Sequence, residues 1–338
     1  MEANKMSKNV KMLPDYRVNF SNKSVKLVNY NDELHDIPQI WKKTMGEGVK
    51  IGLLDTGLPD HADVKTKIKA YKNFTTDASV YDMDGHSTHC GGRMVGESED
   101  PNVGIIGIAP KSELYIGKVM NDQGMGNDEW LAAGIKWCVQ QGCHIINMSL
   151  GAPSNTDKLF PLTKKEILNA YNKNVFMFAA AGNEGIKSIG FPAKMNEVFC
   201  IGSIDINLKH SKFSNTGMEI DFVGLGEQVV STYLNQSYAS ISGSSMACPA
   251  ISAIAALILS NHIQDNCPTP LVNFWDMREH LIKLSTDLGG VKGWDEQYGW
   301  GNPVFGKPDM PFDPKNMGGI VQTIAARPWW KKILWWIK

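Results

Sequence analysis

Short apolar runs recur along the chain, and each breaks off at small or polar residues. Val49–Leu54 stops at Asp55, Leu114–Val119 runs out before Gly124, and His144–Met148 stops at Ser149. Val175–Ala181 ends at Gly182, and Val198–Gly202 runs into Ser203. Near-continuous runs of this length read as strands covered on both faces. Between them, residues 127–141 carry Trp130, Leu131, Ile135, Trp137 and Cys138 at helical spacing, and residues 163–173 do the same with Ile167, Leu168 and Tyr171. A small-residue helix is expected over residues 86–96. A buried helix is expected over residues 246–261, with Pro249 tolerated in its first turn. Strand–helix alternation predicts an α/β protein with a doubly wound, mostly parallel sheet and helices on both faces. In such sheets ligands bind at the carboxyl ends of the strands, which is where the runs break off.

Composition adds exclusions. The 34 basic and 35 acidic residues leave a net charge of −1, so no global field favours nucleic acid. No stretch of ~18 apolar residues is evident, so no bilayer span is expected. The first twenty residues lack the apolar centre of a secretory signal. Six cysteines without a CxxC pair read as buried free thiols. Together these features predict a cytoplasmic protein.

Candidate chemistry begins with "SISGSSMACP", residues 240–249, where four serines precede the buried helix. Ser245 sits at the helix mouth, where its own amide and the positive end of the dipole face a developing anion. Ser240 and Ser242 lie on the approach strand, and Ser244 lies in the turn. A serine nucleophile needs a base and a group to orient that base. "DGHSTHC" supplies His86 at the start of a helix, and "LLDTG" supplies Asp55 at the end of a strand.

"LLDTG", "GHSTHC", "AAAGNEG" and "SGSSMACP", in that order, resemble the motifs of the subtilisin-like serine peptidases, and the layout is similar to intracellular members. The resemblance spans roughly residues 25–305. It implies a serine endopeptidase acting on polypeptides, with Ser245 as nucleophile, His86 as base, Asp55 as orienter and Asn183 as oxyanion donor. It further implies that Gly124, Met125 and Gly126 on one side, and Ser149, Leu150 and Gly151 on the other, clasp an extended peptide by main-chain bonds. Gly190 resembles the floor of the pocket for the residue before the cut, and a glycine there implies acceptance of large apolar side chains. Asp63 resembles a structural calcium ligand, completed by the oxygen-rich loop 97–104. A solvated acidic loop is the competing reading.

The departures from the family pattern are specific. Ser87 replaces a glycine beside the base, and Ser244 replaces a threonine. Cys90 matches a thiol-containing branch, which implies sensitivity to mercurials, and as a packing residue it reads as a small buried hydrophobe. Asp128 stands where relatives carry an aromatic residue. It either favours a basic residue upstream of the cut or stabilises a helix N-terminus.

The expected organisation is an N-terminal extension over residues 1–24, a peptidase domain over 25–312, and a tail over 313–338. The extension contains "KMLPDY", residues 11–16, which resembles the inhibitory segment of intracellular members. Pro14 removes a main-chain donor and would kink a strand lying in the cleft. An unstructured start is the alternative. The tail ends in "RPWWKKILWWIK" and suits either a membrane surface or a protein partner. Two other functions compete with the endopeptidase reading. One is a catalytically silent homologue that binds peptides or associates with membranes or particles. The other is an esterase, disfavoured because residues 243–247 lack the second glycine of a G-x-S-x-G elbow and that family places its histidine last in chain order.

Overall fold

Six-residue apolar strands dominate the centre of the computed structural model, which describes residues 8–22, 28–29, 37–100, 102–264, 271, 273–289 and 292–305. The large sheet is built from β1 (Lys50–Asp55), β2 (Ile68–Asn73), β3 (Glu113–Lys118), β4 (Ile145–Met148), β5 (Phe176–Ala180), β6 (Phe199–Ile204) and β7 (Ile220–Leu225). Their spatial order is 7-6-5-4-1-3-2, and every neighbouring pair is parallel. The doubly wound α/β sheet read from the sequence is therefore present. β2 and β7 went unseen in the sequence. In β2, IKAYKN alternates apolar and polar residues on a half-exposed edge instead of forming a run.

The five longest helices among the described residues are α1 (His86–Val95), α2 (Asp128–Gln140), α3 (Pro161–Asn172), α4 (Ser244–Gln264) and α5 (Phe274–Leu284). One core layer joins α1, α4 and α5 to one face of the sheet, through residues such as Met94, Ile251 and Phe274. The other joins α2 and α3 to the opposite face through Leu131, Ile135 and Ile167. A stack of Phe178 on Phe199 on Phe274, with ring centroids 4.8 and 4.1 Å apart, ties the middle of the sheet to α5.

α4 corrects two expectations. By length and composition its 21 residues could cross a membrane, yet the helix is packed inside the core, with Met246 through Leu257 essentially inaccessible. It also begins two residues earlier than its apolar pattern suggested, which moves Pro249 out of the first turn. A proline cannot donate to the carbonyl four residues back. That carbonyl belongs to Ser245, and the Ser149 hydroxyl donates to it at 3.0 Å instead.

All described residues belong to one unit that ends at Phe305. Cys90, Cys138, Cys143, Cys200 and Cys248 are buried free thiols, as expected. Cys267 and the tryptophan-rich tail of residues 313–338 lie outside the described residues.

Candidate active site

The strand order reverses direction around β1, and parallel sheets open a crevice at such a point. Leu53 of β1 pairs with Asn147 of β4, and two residues further along each chain stand Asp55, the last residue of β1, and Ser149, just after β4. His86 is the first residue of α1 and enters from the neighbouring turn.

Asp55 Oδ1 lies 2.8 Å from His86 Nδ1 and also accepts the Thr56 amide at 2.7 Å. Both side chains are fully buried. Next to a carboxylate, Nδ1 is the protonated nitrogen, which leaves the lone pair on Nε2. Burial disfavours a charged ring, but the Asp55 carboxylate beside it outweighs burial and holds the His86 pKa well above its usual value. Cys90 Sγ lies 3.9 Å from His86 Nδ1, and burial pushes its own thiol up. His89, one turn along, has its pKa pushed down to about 3 by burial, so it is a neutral structural ring bonded to the Val229 and Ala239 carbonyls.

Asp82 holds this pair together, and sequence reading had not singled it out. Its buried carboxylate accepts from Thr56 Oγ1, the Asp84, Gly85 and Thr88 amides and Thr88 Oγ1, at 2.7–3.1 Å. It therefore ties the residue after Asp55 to the turn that starts α1. Gly85 at that start has φ +98° and offers no capping side chain, so Asp82 does the capping from three residues upstream.

Ser245 lies in the first turn of α4, across from His86. Its Oγ donates to the Ser149 carbonyl at 3.1 Å, and among the described residues His86 Nε2 has no hydrogen-bond partner. Asn183, after β5, has its amide aimed by Ser244, whose N–H and hydroxyl both donate to Asn183 Oδ1 at 2.8 Å. That function of Ser244 was invisible as a Ser-for-Thr replacement. The freed Asn183 Nδ2 donates to the Asp15 carbonyl at 2.8 Å.

The chain's own N-terminal segment fills the clasp. Val10 and Lys11 pair antiparallel with Gly126 and Met125. The Met12 and Leu13 amides donate to the Gly124 carbonyl, both at 3.0 Å, and the Gly151 amide donates to the Met12 carbonyl at 2.9 Å. Close approach explains Gly124, which has φ +69° and where a Cβ would lie 2.7 Å from Leu13 Cβ, whereas at Gly126 the nearest atom is the movable Met12 Sδ. The Leu150 side chain is buried in the second core layer and does not line the clasp. A cavity of about 360 Å³ opens beneath Leu13, Pro14 and Asp15, lined by Gly151, Ala152, Ala180, Gly182, Glu184 and Gly190. Gly190 does more than leave room: a Cβ there would sit 2.4 Å from the Ala152 carbonyl, in the Ala152–Phe191 bridge.

Asp128 faces no subsite. It is buried, and its two carboxylate oxygens accept the Leu162 and Thr163 amides at 2.9 and 2.7 Å. The reading as a site for a basic residue is therefore overturned. The helix reading holds, although the helix Asp128 caps is α3, and Asn127 caps α2.

A doubly wound sheet with a buried Asp–His pair, a helix-mouth serine and an aimed asparagine amide defines a serine hydrolase. The Subtilase family matches residues 46–301, and the chain belongs to that family. The chain is 36% identical over 336 residues to an "Intracellular serine protease" of Paenibacillus polymyxa, covering 95% of this chain and 99% of the relative. It is 37% identical over 266 residues to the "Major intracellular serine protease" of Bacillus subtilis (strain 168), covering 71% of this chain and 82% of that one. "Subtilisin DY" of Bacillus licheniformis is 36% identical over 250 residues, covering 72% and 86% respectively. The protein is a serine-type endopeptidase acting on polypeptides.

Proposed function

We propose that Ser245, His86 and Asp55 carry the hydrolysis and that Asn183 stabilises its oxyanion. The Asp55–His86 bond carries this reading: with Nδ1 held by the carboxylate, the neutral ring has its lone pair on Nε2, which among the described residues no partner occupies. Ser245 Oγ attacks the substrate carbonyl carbon as its proton passes to His86 Nε2. The carbonyl oxygen becomes an anion held by Asn183 Nδ2 and the Ser245 amide. The C–N bond then breaks, His86 returns the proton to the leaving amine, and water hydrolyses the acyl-enzyme by the same steps. The cavity beside Gly190 suits a large apolar side chain before the cut. The named relatives and the ordinary free thiols favour an intracellular, cytoplasmic setting.

We further infer that residues 8–16 are an inhibitor built into the chain. From the Gly151–Met12 bond, continuing the segment antiparallel to residues 149–151 would set residue 14 opposite Ser149. An ordinary residue would offer its amide to the Ser149 carbonyl, but Pro14 has none. The Ser245 hydroxyl takes that acceptor and so does not face His86. The carbonyl at Asn183 then belongs to Asp15, one residue beyond the position the strand register assigns. Pro14→Ala restores the amide and is expected to turn the segment into a substrate. An intact-mass time course beside casein hydrolysis tests both parts of the reading. Wild type should lose its N-terminal segment slowly as activity appears, and Pro14→Ala at least tenfold faster. An unchanged rate of loss would remove the proline from the account.

Calcium at Asp63 is the cofactor we propose. The carboxylate is buried, and among the described residues its side-chain donors are neutral, the Ile105 amide at 3.1 Å and the Tyr238 hydroxyl at 3.0 Å. The loop closes tightly on this carboxylate, since a Cβ at Gly104 would lie 2.9 Å from Asp63 Oδ2, and the loop's own oxygens would have to supply the remaining ligands. At calcium about 100-fold above Kd, binding adds about 2.7 kcal/mol, or a melting shift of ~5 °C for a chain of this size. That shift should vanish in EGTA and in Asp63→Asn. An equal shift in Asp63→Asn would assign the ion elsewhere.

A further inference from the structure

The residue that follows the carbonyl held by Asn183 is Tyr16, and its side chain occupies a small enclosure beside the base. Its ring lies 5.3 Å from the His86 ring, and its hydroxyl donates to Asp84 Oδ1 at 2.5 Å. Tyr233 forms the opposite wall. Its hydroxyl donates to the Asp84 carbonyl at 3.1 Å, and its ring packs so closely that a Cβ at Gly85 would lie 2.3 Å from it. Downstream of Tyr16 the chain pairs with the strand that leads into α4, Arg17 opposite Ser242 and Val18 opposite Ile241, with a register shift at the next step. Because the carbonyl at the proposed oxyanion donor belongs to Asp15, Tyr16 stands in the place of the first residue after the cut.

Two carboxylates stand in this turn, and they are not equivalent. Asp82 is buried and accepts five hydrogen bonds from the scaffold. Asp84 is half-buried and accepts the His86 amide at 3.2 Å, and its remaining bond goes to the occupant of the enclosure. With the N-terminal segment withdrawn, Asp84 Oδ1 loses the Tyr16 hydroxyl and is left with acceptor capacity beside the Tyr233 side chain. A carboxylate accepts most strongly from a cationic donor, and the aromatic faces of Tyr233 and of an incoming ring favour a flat or extended side chain.

We propose that Asp84 makes the subsite immediately after the cut selective for a side chain carrying a hydrogen-bond donor, lysine or arginine first and tyrosine next. The inference rests on the endopeptidase reading above and deepens it by naming what the site takes on its leaving-group side. Asp84 touches substrate in this account but takes no part in the proton transfers. Tyr16, in the inhibitory segment, occupies the subsite with the neutral member of the same donor class.

Isosteric peptide pairs test it. Two pairs share one sequence and differ only after the cut, lysine against norleucine and tyrosine against phenylalanine. They are assayed with wild type and Asp84→Asn, each taken to constant activity. A charge-assisted bond in a half-buried site should favour lysine over norleucine in kcat/KM by about tenfold or more, and tyrosine over phenylalanine by a few-fold. Asp84→Asn should bring the lysine-to-norleucine ratio to near one while the tyrosine-to-phenylalanine ratio falls less, because an amide oxygen still accepts. A wild-type ratio near one, or a ratio that survives in Asp84→Asn, overturns the proposal. If no peptide in the panel is cleaved, the endopeptidase reading is what has failed. The same lysine-to-norleucine comparison is then read as the ratio of Kd values on Ser245→Ala by titration.

Discussion

Ser245→Ala is expected to lower kcat/KM on an unfolded protein or a chromogenic peptide by at least about 10⁴-fold while leaving the fold intact. The groups of a triad act as a unit, so removing the nucleophile also makes the base useless and leaves only the residual rate that binding and the oxyanion donors provide. His86→Ala should cost a similar factor, and the double variant little more than either alone. That non-additivity separates a shared proton path from two independent contributions. The structural cost is small. Ser245 Oγ makes one bond, to the Ser149 carbonyl, and alanine is an excellent helix former in the first turn of α4. A melting curve within a few degrees of wild type, beside the lost activity, is the expected pairing. An active Ser245→Ala protein would move the nucleophile to another serine.

Asn183→Ala is expected to cost about 10²–10³ in kcat with little change in KM, a magnitude known for such donors in this enzyme class. The donor acts on charge that develops only in the transition state, so ground-state binding should barely register its loss. The environment of Asn183 sharpens the prediction. Its Oδ1 is pinned by the Ser244 amide and hydroxyl, so Nδ2 is already aimed and needs no reorganisation during reaction. Ser244→Ala removes one of those two bonds and should fall between wild type and Asn183→Ala. Steady-state kinetics decide it: an Asn183→Ala protein that loses KM alone would make the amide a substrate anchor. The same variant also releases the Asp15 carbonyl, so its N-terminal segment should dissociate more readily than that of wild type.

Much of this was legible in the sequence. β1, β3, β4, β5 and β6 announce themselves as near-continuous apolar runs because both faces are buried, and Asp55, Ser149 and Gly182, where three of them break off, reach the crevice. Asp55, His86, Asn183 and Ser245 stand out because their types and order carry chemistry. β2 escaped because an edge strand needs no apolar run. Asp82 escaped because a carboxylate that accepts five scaffold donors looks, in one dimension, like any acid in a polar turn. Asp128 misled for a related reason. Its two partners are amides 34 and 35 positions away, and nothing local indicates that the carboxylate faces inward. Pro249 and Pro14 were read as local features of a helix and a strand. Their larger effect is on distant acceptors. One frees the Ser245 carbonyl for Ser149, and the other leaves the Ser149 carbonyl to Ser245.

The most direct test of the central assignment is labelling of the activated protein with a fluorophosphonate, followed by peptide mapping. The account predicts one adduct per chain on Ser245, and none on Ser240, Ser242 or Ser244. It also predicts no adduct in the His86→Ala protein, because the hydroxyl needs its base to react. An adduct on a neighbouring serine, or labelling that does not depend on His86, would contradict it.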